Sequence, residues 1–257
     1  MSQDQHDSAG STGVFLYGVV PSDVEPDAGA EGIGSPPGQI KAVREDGIAA
    51  LISEVDVDQP IGRPADLNAY EHLLNEVALV TPVLPVRFGT VMTTADAVEE
   101  WLRDRQDQLA SALNEFDGRI QYTVHGRFHE PEFLSRFLAE DAAAAELADQ
   151  IRGASEMESR EQRIQLGQMI AQAVERRQEA ENRDLVEAVG RYAVDSTVRP
   201  PSHEMDAVHV AWLVEMDQED EFVQAVEEFA EQRKELIRMR LLGPLAPYDF
   251  VAARPGG

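Results

Sequence analysis

The chain has 257 residues, enough for one large domain or two ordinary ones, and its 43% hydrophobic share supports a core built mainly from aliphatic side chains. With 48 acidic residues against 22 basic ones, its formal net charge of -26 repels phosphate backbones and anionic membrane surfaces, which sets nucleic acid and membranes aside as partners. The lack of cysteine excludes disulfides, thiolate metal sites and cysteine nucleophiles.

Residues 1–12 carry almost nothing to bury and are expected to be a disordered tail. Val14-Phe15-Leu16-Tyr17-Gly18-Val19-Val20 is a compact apolar run stopped by Pro21, the pattern of a buried strand. After a loop over 21–38, the runs 40–45 and 48–55 flank Asp46-Gly47, a hairpin signal. Asp66 is placed to cap a helix over about 67–79. The stretch 81–90 holds Pro82 and Pro85, so it reads as an edge strand or an extended connection. Thr94 caps a second helix bearing Val98, Trp101, Leu102, Leu109 and Leu113; Asp117-Gly118 stops it, and 120–128 returns to strand. The first part, 13–128, therefore has an α+β pattern compatible with a ferredoxin-like sheet covered by helices.

From 129 to 257 the character changes. Residues 130–193 are helical apart from Arg152-Gly153-Ala154-Ser155, so two antiparallel helices over about 131–195 form a helical hairpin or short coiled coil. Ile164, Ala171, Leu185 and Tyr192 keep a seven-residue spacing, with Val174 and Ala188 on a companion track, and Gln178 and Glu181 break the seam. Beyond Pro200-Pro201 come a strand over 208–214, an amphipathic helix over 219–233 with Phe222, Val223, Val226 and Phe229 inward, and a strand over 237–242. No run of about 18 apolar residues exists, and the N-terminus lacks a basic start and apolar middle, so a cytoplasmic location is expected.

Residues that could carry chemistry are few. His125 and His129 lie four apart around a strand end, and His203-Glu204 with His209 lacks the H-E-x-x-H spacing of a zinc helix. No phosphate-cradling glycine loop or G-x-S-x-G elbow occurs. Acidic pairs such as Glu227-Glu228, or a single carboxylate such as Asp141, are too common here to mark a general acid and base. Arg87 reads as a buried arginine paired with carboxylates or carbonyls, with an anion site as the alternative. The cluster Arg233, Lys234, Arg238 and Arg240 either meets an acidic partner or includes two cations at a helix C-terminus. No catalytic, cofactor-binding or metal-ligating residue is assigned.

Five segments in order resemble the gas vesicle GvpF/GvpL family: 14–20; 47–55; Pro82-Val83-Leu84-Pro85-Val86-Arg87-Phe88-Gly89-Thr90-Val91; 211–215; and Leu241-Leu242-Gly243-Pro244-Leu245-Ala246-Pro247-Tyr248-Asp249-Phe250. The proline-framed stretch and the closing G-P-x-x-P-Y-x-F are the specific ones. The resemblance implies a ferredoxin-like N-terminal domain and a C-terminal domain with a helical coiled coil. It also implies a non-enzymatic role, as a minor structural component or assembly factor of a gas vesicle. Its partners would be the small hydrophobic shell protein and other gas vesicle accessory proteins, with no cofactor. An enzyme on a ferredoxin-like scaffold and a scaffold unrelated to gas vesicles are the alternatives.

Overall fold

A computed structural model describes residues 11–27 and 29–252; the expected disordered tail falls mostly on residues 1–10, outside the described ones. In chain order the elements are β1 (Thr12–Pro21), β2 (Lys41–Glu45), β3 (Ile48–Asp56), α1 (Pro64–Ala78), β4 (Leu84–Pro85), β5 (Val91–Met92) and α2 (Ala95–Phe116). They continue as β6 (Arg119–Phe128), α3 (Glu130–Glu140), α4 (Ala142–Ile151), α5 (Arg160–Val189), β7 (Asp195–Val198), β8 (Asp206–Glu215), α6 (Glu219–Arg233), β9 (Ile237–Leu245) and α7 (Tyr248–Ala252). Two compact units emerge, one of residues up to 120 with those from 244 on, the other of 121–243.

In the first unit the sheet order is β2-β3-β1-β4, with β5 also on β1, and these strands pair antiparallel. The apolar run becomes the central strand because a strand buried on both faces must be apolar throughout. Gly47 turns the expected hairpin with a φ of 85°, a conformation side chains with a Cβ avoid. The proline-rich stretch shrinks to two-residue β4 at the sheet edge, where a proline costs no ladder bond.

Both specific motifs end in one core. Phe88 packs edge-on against Phe15 and Tyr70, with centroids 5.5 and 5.3 Å apart, and Tyr248 stands 6.2 Å from Tyr70. Asn75 Oδ1 accepts from the Ala246 amide at 2.9 Å and from the Tyr248 hydroxyl at 3.2 Å, which fixes the closing segment to α1.

Two helix starts differ in kind. Thr94 caps α2 as expected, its hydroxyl accepting from the Ala97 amide at 3.1 Å. Thr94→Ala should therefore cost about 1 kcal/mol, read as a lower midpoint in chemical denaturation; an unchanged midpoint would deny the cap its role. Asp66 is not the cap. Pro64 opens α1 one turn earlier than expected, and Asp66 lies in the first turn, 2% exposed. There its carboxylate accepts from the Arg63 guanidinium and from the amides of Gly34, Gly62 and Arg63. The Arg63 hydrogen bonds, helped by the three amides and opposed by burial, hold Asp66 well below the usual carboxylate range.

In the second unit the order is β7-β8-β6-β9, and β7 runs antiparallel to β8. The helical stretch contains three helices rather than two. Asp141 ends α3 and caps α4, accepting from the Ala144 amide at 3.0 Å, and residues 152–159 make the turn into the 30-residue α5. The seven-residue track is buried only in part: Leu185 and its companion Val174 are 0% and 7% exposed, whereas Ile164 is 54% exposed and Ala171 and Ala188 are exposed too. Leu166, Met169, Ile170 and Ala173 join the core beneath the first half of α5. Its second half lies on β8 and buries Val174, Glu181, Asn182, Leu185 and Val189. Because the helix changes partner midway, no single seam serves its whole length.

Candidate functional site

The histidines separate into a structural cluster and isolated residues. His125 on β6 and His209 on β8 stand 4.9 Å apart by ring centroid. His125 Nε2 lies 3.0 Å from Asp206, whose side chain has no exposed surface. Asp206 also accepts from the Ser202 amide at 2.7 Å, the Ser202 hydroxyl at 2.8 Å, the His203 amide at 2.9 Å and Arg127 Nε at 3.4 Å. Burial pushes this carboxyl upward, but the Ser202 and His203 hydrogen bonds and the charge of His125 outweigh it and hold the group at about 2. Burial pushes His209 below the usual imidazole value. The arrangement fastens the 199–205 connection to β6. His129 lies past the strand and turns to the Lys234 carbonyl, 3.2 Å away, so it does not join His125. Among the described residues no three histidine or acidic side chains are grouped to hold a metal ion.

The arginines resolve differently from expectation. Arg87 is exposed, not buried, because β4 ends before it and only Phe88 turns into the core. Arg233 is paired: its Nε lies 2.7 Å from Glu181, itself 4% exposed, and its guanidinium covers the Phe229 ring at 3.5 Å. Lys234 pairs with Glu231. Arg238 and Arg240 alternate with Ile237 and Met239 on β9 and face outward, beside a Leu242 that is 51% exposed. The late basic cluster is thus one half-buried anchor, Arg233, one exposed pair at Lys234 and two surface cations.

Strand edges provide the surfaces with unsatisfied bonding capacity. The first sheet guards its edges. Arg44 on β2 donates to the Ser22 and Val24 carbonyls and to Glu25, which ties a loop beside that strand, and β4 ends in Pro85. The second sheet is more open. Among the described residues β7 pairs only with β8, and the Arg199 amide donates inward to the His209 carbonyl at 2.8 Å. By the two-residue alternation of antiparallel ladders, the Val198 amide points away from β8. Val194 and Val198 are 44% and 54% exposed. Beside them lies an open hollow of about 580 Å³, floored by Val186, Val198, Pro200 and Pro201. An exposed apolar edge of this kind is a template for another strand. No expectation from sequence pointed to β7; the alternation Val194, Ser196, Val198 was its only signal, and it is shorter than most strands.

Comparison with known proteins gives the arrangement a context. Residues 13–252 match the family described as gas vesicle synthesis protein GvpL/GvpF. Gas vesicle protein F of a Streptomyces species is 32% identical over 222 residues, covering 86% of this chain and 91% of that protein. Gas vesicle protein L of the same strain is 28% identical over 256 residues, covering 92% and 91%. The crystal structure of GvpF from Microcystis aeruginosa aligns with a TM-score of 0.74 at 23% identity, covering 93% of this chain and 98% of that one. That likeness carries the fold, a mixed α and β architecture with antiparallel sheets. Among the described residues no helix is long and apolar enough to cross a membrane.

Proposed function

The chain belongs to the gas vesicle synthesis protein GvpL/GvpF family, and from that premise we propose that it is a non-catalytic assembly factor or minor component acting in the cytoplasm and at the gas vesicle. It holds the small hydrophobic shell protein, or another accessory protein of the organelle, by lending it a strand edge. The observation that carries this reading is β7, an edge strand that ends in exposed Val198, follows exposed Val194 and has an apolar hollow beside Val198. A hydrophobic shell subunit before assembly has apolar surface and strand edges to cover, and β7 can cover some of both. The net charge of -26 keeps the carrier from associating with itself at the same concentration.

The same reading takes the chain as a ferredoxin-like domain over 13–128 and a second domain over 129–257 with α3, α4 and α5 as a helical, coiled-coil-like arm. The order β4-β1-β3-β2 supports the first, and the division of compact units at residue 120 supports the separation. The compact units depart from those bounds at two places, since residues 121–128 of β6 fall in the second unit and residues 244 onward return to the first.

Co-purification with the small shell subunit at low and high salt tests the function. The wild type is expected to retain the subunit at both, because apolar and backbone contacts resist screening. Val198→Lys, which guards the edge as natural edge strands are guarded, is expected to release it. Loss of binding at high salt would move the contact to the charged surface, and no binding at either salt by a folded protein would sink the proposal.

A further inference from the structure

A second surface, in the same unit but distinct from β7, has a more definite chemistry. Phe133, Arg136, Phe137 and Glu140 occupy positions i, i+3, i+4 and i+7 of α3, so they share one face. Ala173, Arg176, Arg177 and Ala180 repeat that spacing on α5. The two faces enclose an open groove of about 420 Å³ with Leu236 at its base. Phe133, Phe137 and Leu236 are 6%, 8% and 6% exposed, so the floor is apolar and firmly seated in the core. The space exists because α5 contributes two alanines there, whereas a larger side chain at 173 or 180 would fill it.

The rim is basic in a protein that is otherwise strongly acidic. Arg176 has no hydrogen-bond or ion-pair partner among the described residues, and it is exposed. Arg136 comes no nearer than 3.9 Å to Glu235, whose side chain is 84% exposed, and such a contact contributes almost nothing. Arg177 is occupied, with Nε 3.2 Å from the buried Glu181. The two rim acids do not cancel these charges equally, since Asp141 is engaged as the α4 cap and Glu140 stands at one end. Two available guanidinium groups, one on each wall of a trough with an apolar floor, call for a ligand with apolar side chains on one face and carboxylates flanking them.

We propose that the groove between α3 and α5 docks an acidic amphipathic helix of a protein partner. Its apolar side chains rest on Phe133, Phe137 and Leu236 between Ala173 and Ala180, and its carboxylates meet Arg136 and Arg176. The overall negative field makes this selective: acidic surfaces are repelled elsewhere on the chain and accepted here. The inference does not depend on the β7 reading, because neither the groove nor its chemistry requires a shell subunit.

The test uses the full chain and a labelled synthetic helix of about four turns, with leucines on one face and glutamates beside them, followed by fluorescence anisotropy. A counterpart with lysines for glutamates is the control. The acidic helix should bind saturably and the lysine helix should not. Ala180→Trp, which fills the trough and leaves every charge in place, and Arg136→Glu with Arg176→Glu, which leaves the trough open, should each weaken binding about tenfold or more. Circular dichroism should remain that of the wild type in both. Equal binding of the two helices, absence of binding by the acidic one, or full affinity in either variant would overturn the proposal. Self-association of the wild type that Ala180→Trp abolishes would overturn it too, by giving the groove to a second copy of the chain.

Discussion

Replacing Asp206 with alanine should destabilise the second unit by about 3 kcal/mol at neutral pH, the lower end of what losing one partner of a buried charge pair costs. The carboxylate collects two amides, a hydroxyl and two cationic or imidazole donors with no exposed surface of its own. Removing it strands those donors, and a buried donor without an acceptor carries its full desolvation cost. Acid should act in the same direction. The carboxyl is lowered from 3.8 to about 2 on folding, so its contribution is present above the unfolded value and fades as pH falls from about 4 through 2. At roughly 1.4 kcal/mol for each pH unit separating the two values, that contribution is about 2 kcal/mol. Asp66 in the first unit is depressed in the same sense, so it adds acid lability of the same sign there. Chemical denaturation at stepped pH checks this, followed by the fluorescence of the fully buried Trp212 in a Trp101→Phe background. Asp206→Asn should flatten the decline between pH 4 and 2. An unchanged decline would mean that other acids govern it.

The acids that matter in that experiment were invisible in the sequence for a plain reason. Among 48 acidic residues, composition gives no sign of which few are buried. Glu181 and Asp206 are chosen by tertiary partners, an arginine on another helix and a histidine on a neighbouring strand, whereas Asp66 is held chiefly by Arg63 three residues before it, with a loop amide added. Elements announced by local chemistry were legible: the Asp46-Gly47 turn, the Thr94 cap, the Asp117-Gly118 stop and the apolar runs of β1 and β8. The break at Asp141 was hidden because the alanines after it favour helix on either side of a cap. Arg87 was misplaced for a related reason, since the Val86-Arg87-Phe88 run does not say which of its side chains turns inward. Strand edges were legible least of all. Whether a strand has a free side depends on sheet order, and β7 reveals itself only through its register with β8.

The two specific motifs illustrate what resemblance adds and what it leaves to physics. Nothing local explains why a proline-framed stretch near residue 85 and a closing segment near 248 should matter together. In the fold both converge on Tyr70, one through Phe88 and the other through Tyr248. They are packing signatures of the first unit. The surfaces proposed for binding lie instead in the second unit, on β7 and between α3 and α5, where neither motif supplies a lining residue.

Gly32→Ala should lower the stability of the first unit by about 3 kcal/mol, near the upper end for overpacking a filled site. The 22–40 connection is attached to the sheet through a small polar centre: the Ile33 amide donates to the Tyr17 hydroxyl at 2.7 Å, and that hydroxyl lies 2.9 Å from Ser53 Oγ. A Cβ on Gly32 would stand 2.3 Å from the Tyr17 oxygen and 2.9 Å from both Ser53 Oγ and the Gly38 carbonyl. Two of those neighbours are held by the hydrogen bonds just named, and the third accepts from the Gly32 amide at 2.7 Å, so none can withdraw without breaking a bond. Gly167 offers the opposite case. It is exposed within α5 with nothing inside 4 Å of an added Cβ, so Gly167→Ala should stabilise the second unit by about 1 kcal/mol through helix propensity alone. Thermal and denaturant melts of the two variants should therefore move in opposite directions. Tyr17→Phe removes the oxygen nearest the new methyl, so combining it with Gly32→Ala should cost less than the two single changes added together. Strict additivity would show that the clash is relieved elsewhere and that the polar centre does not set the position of the loop.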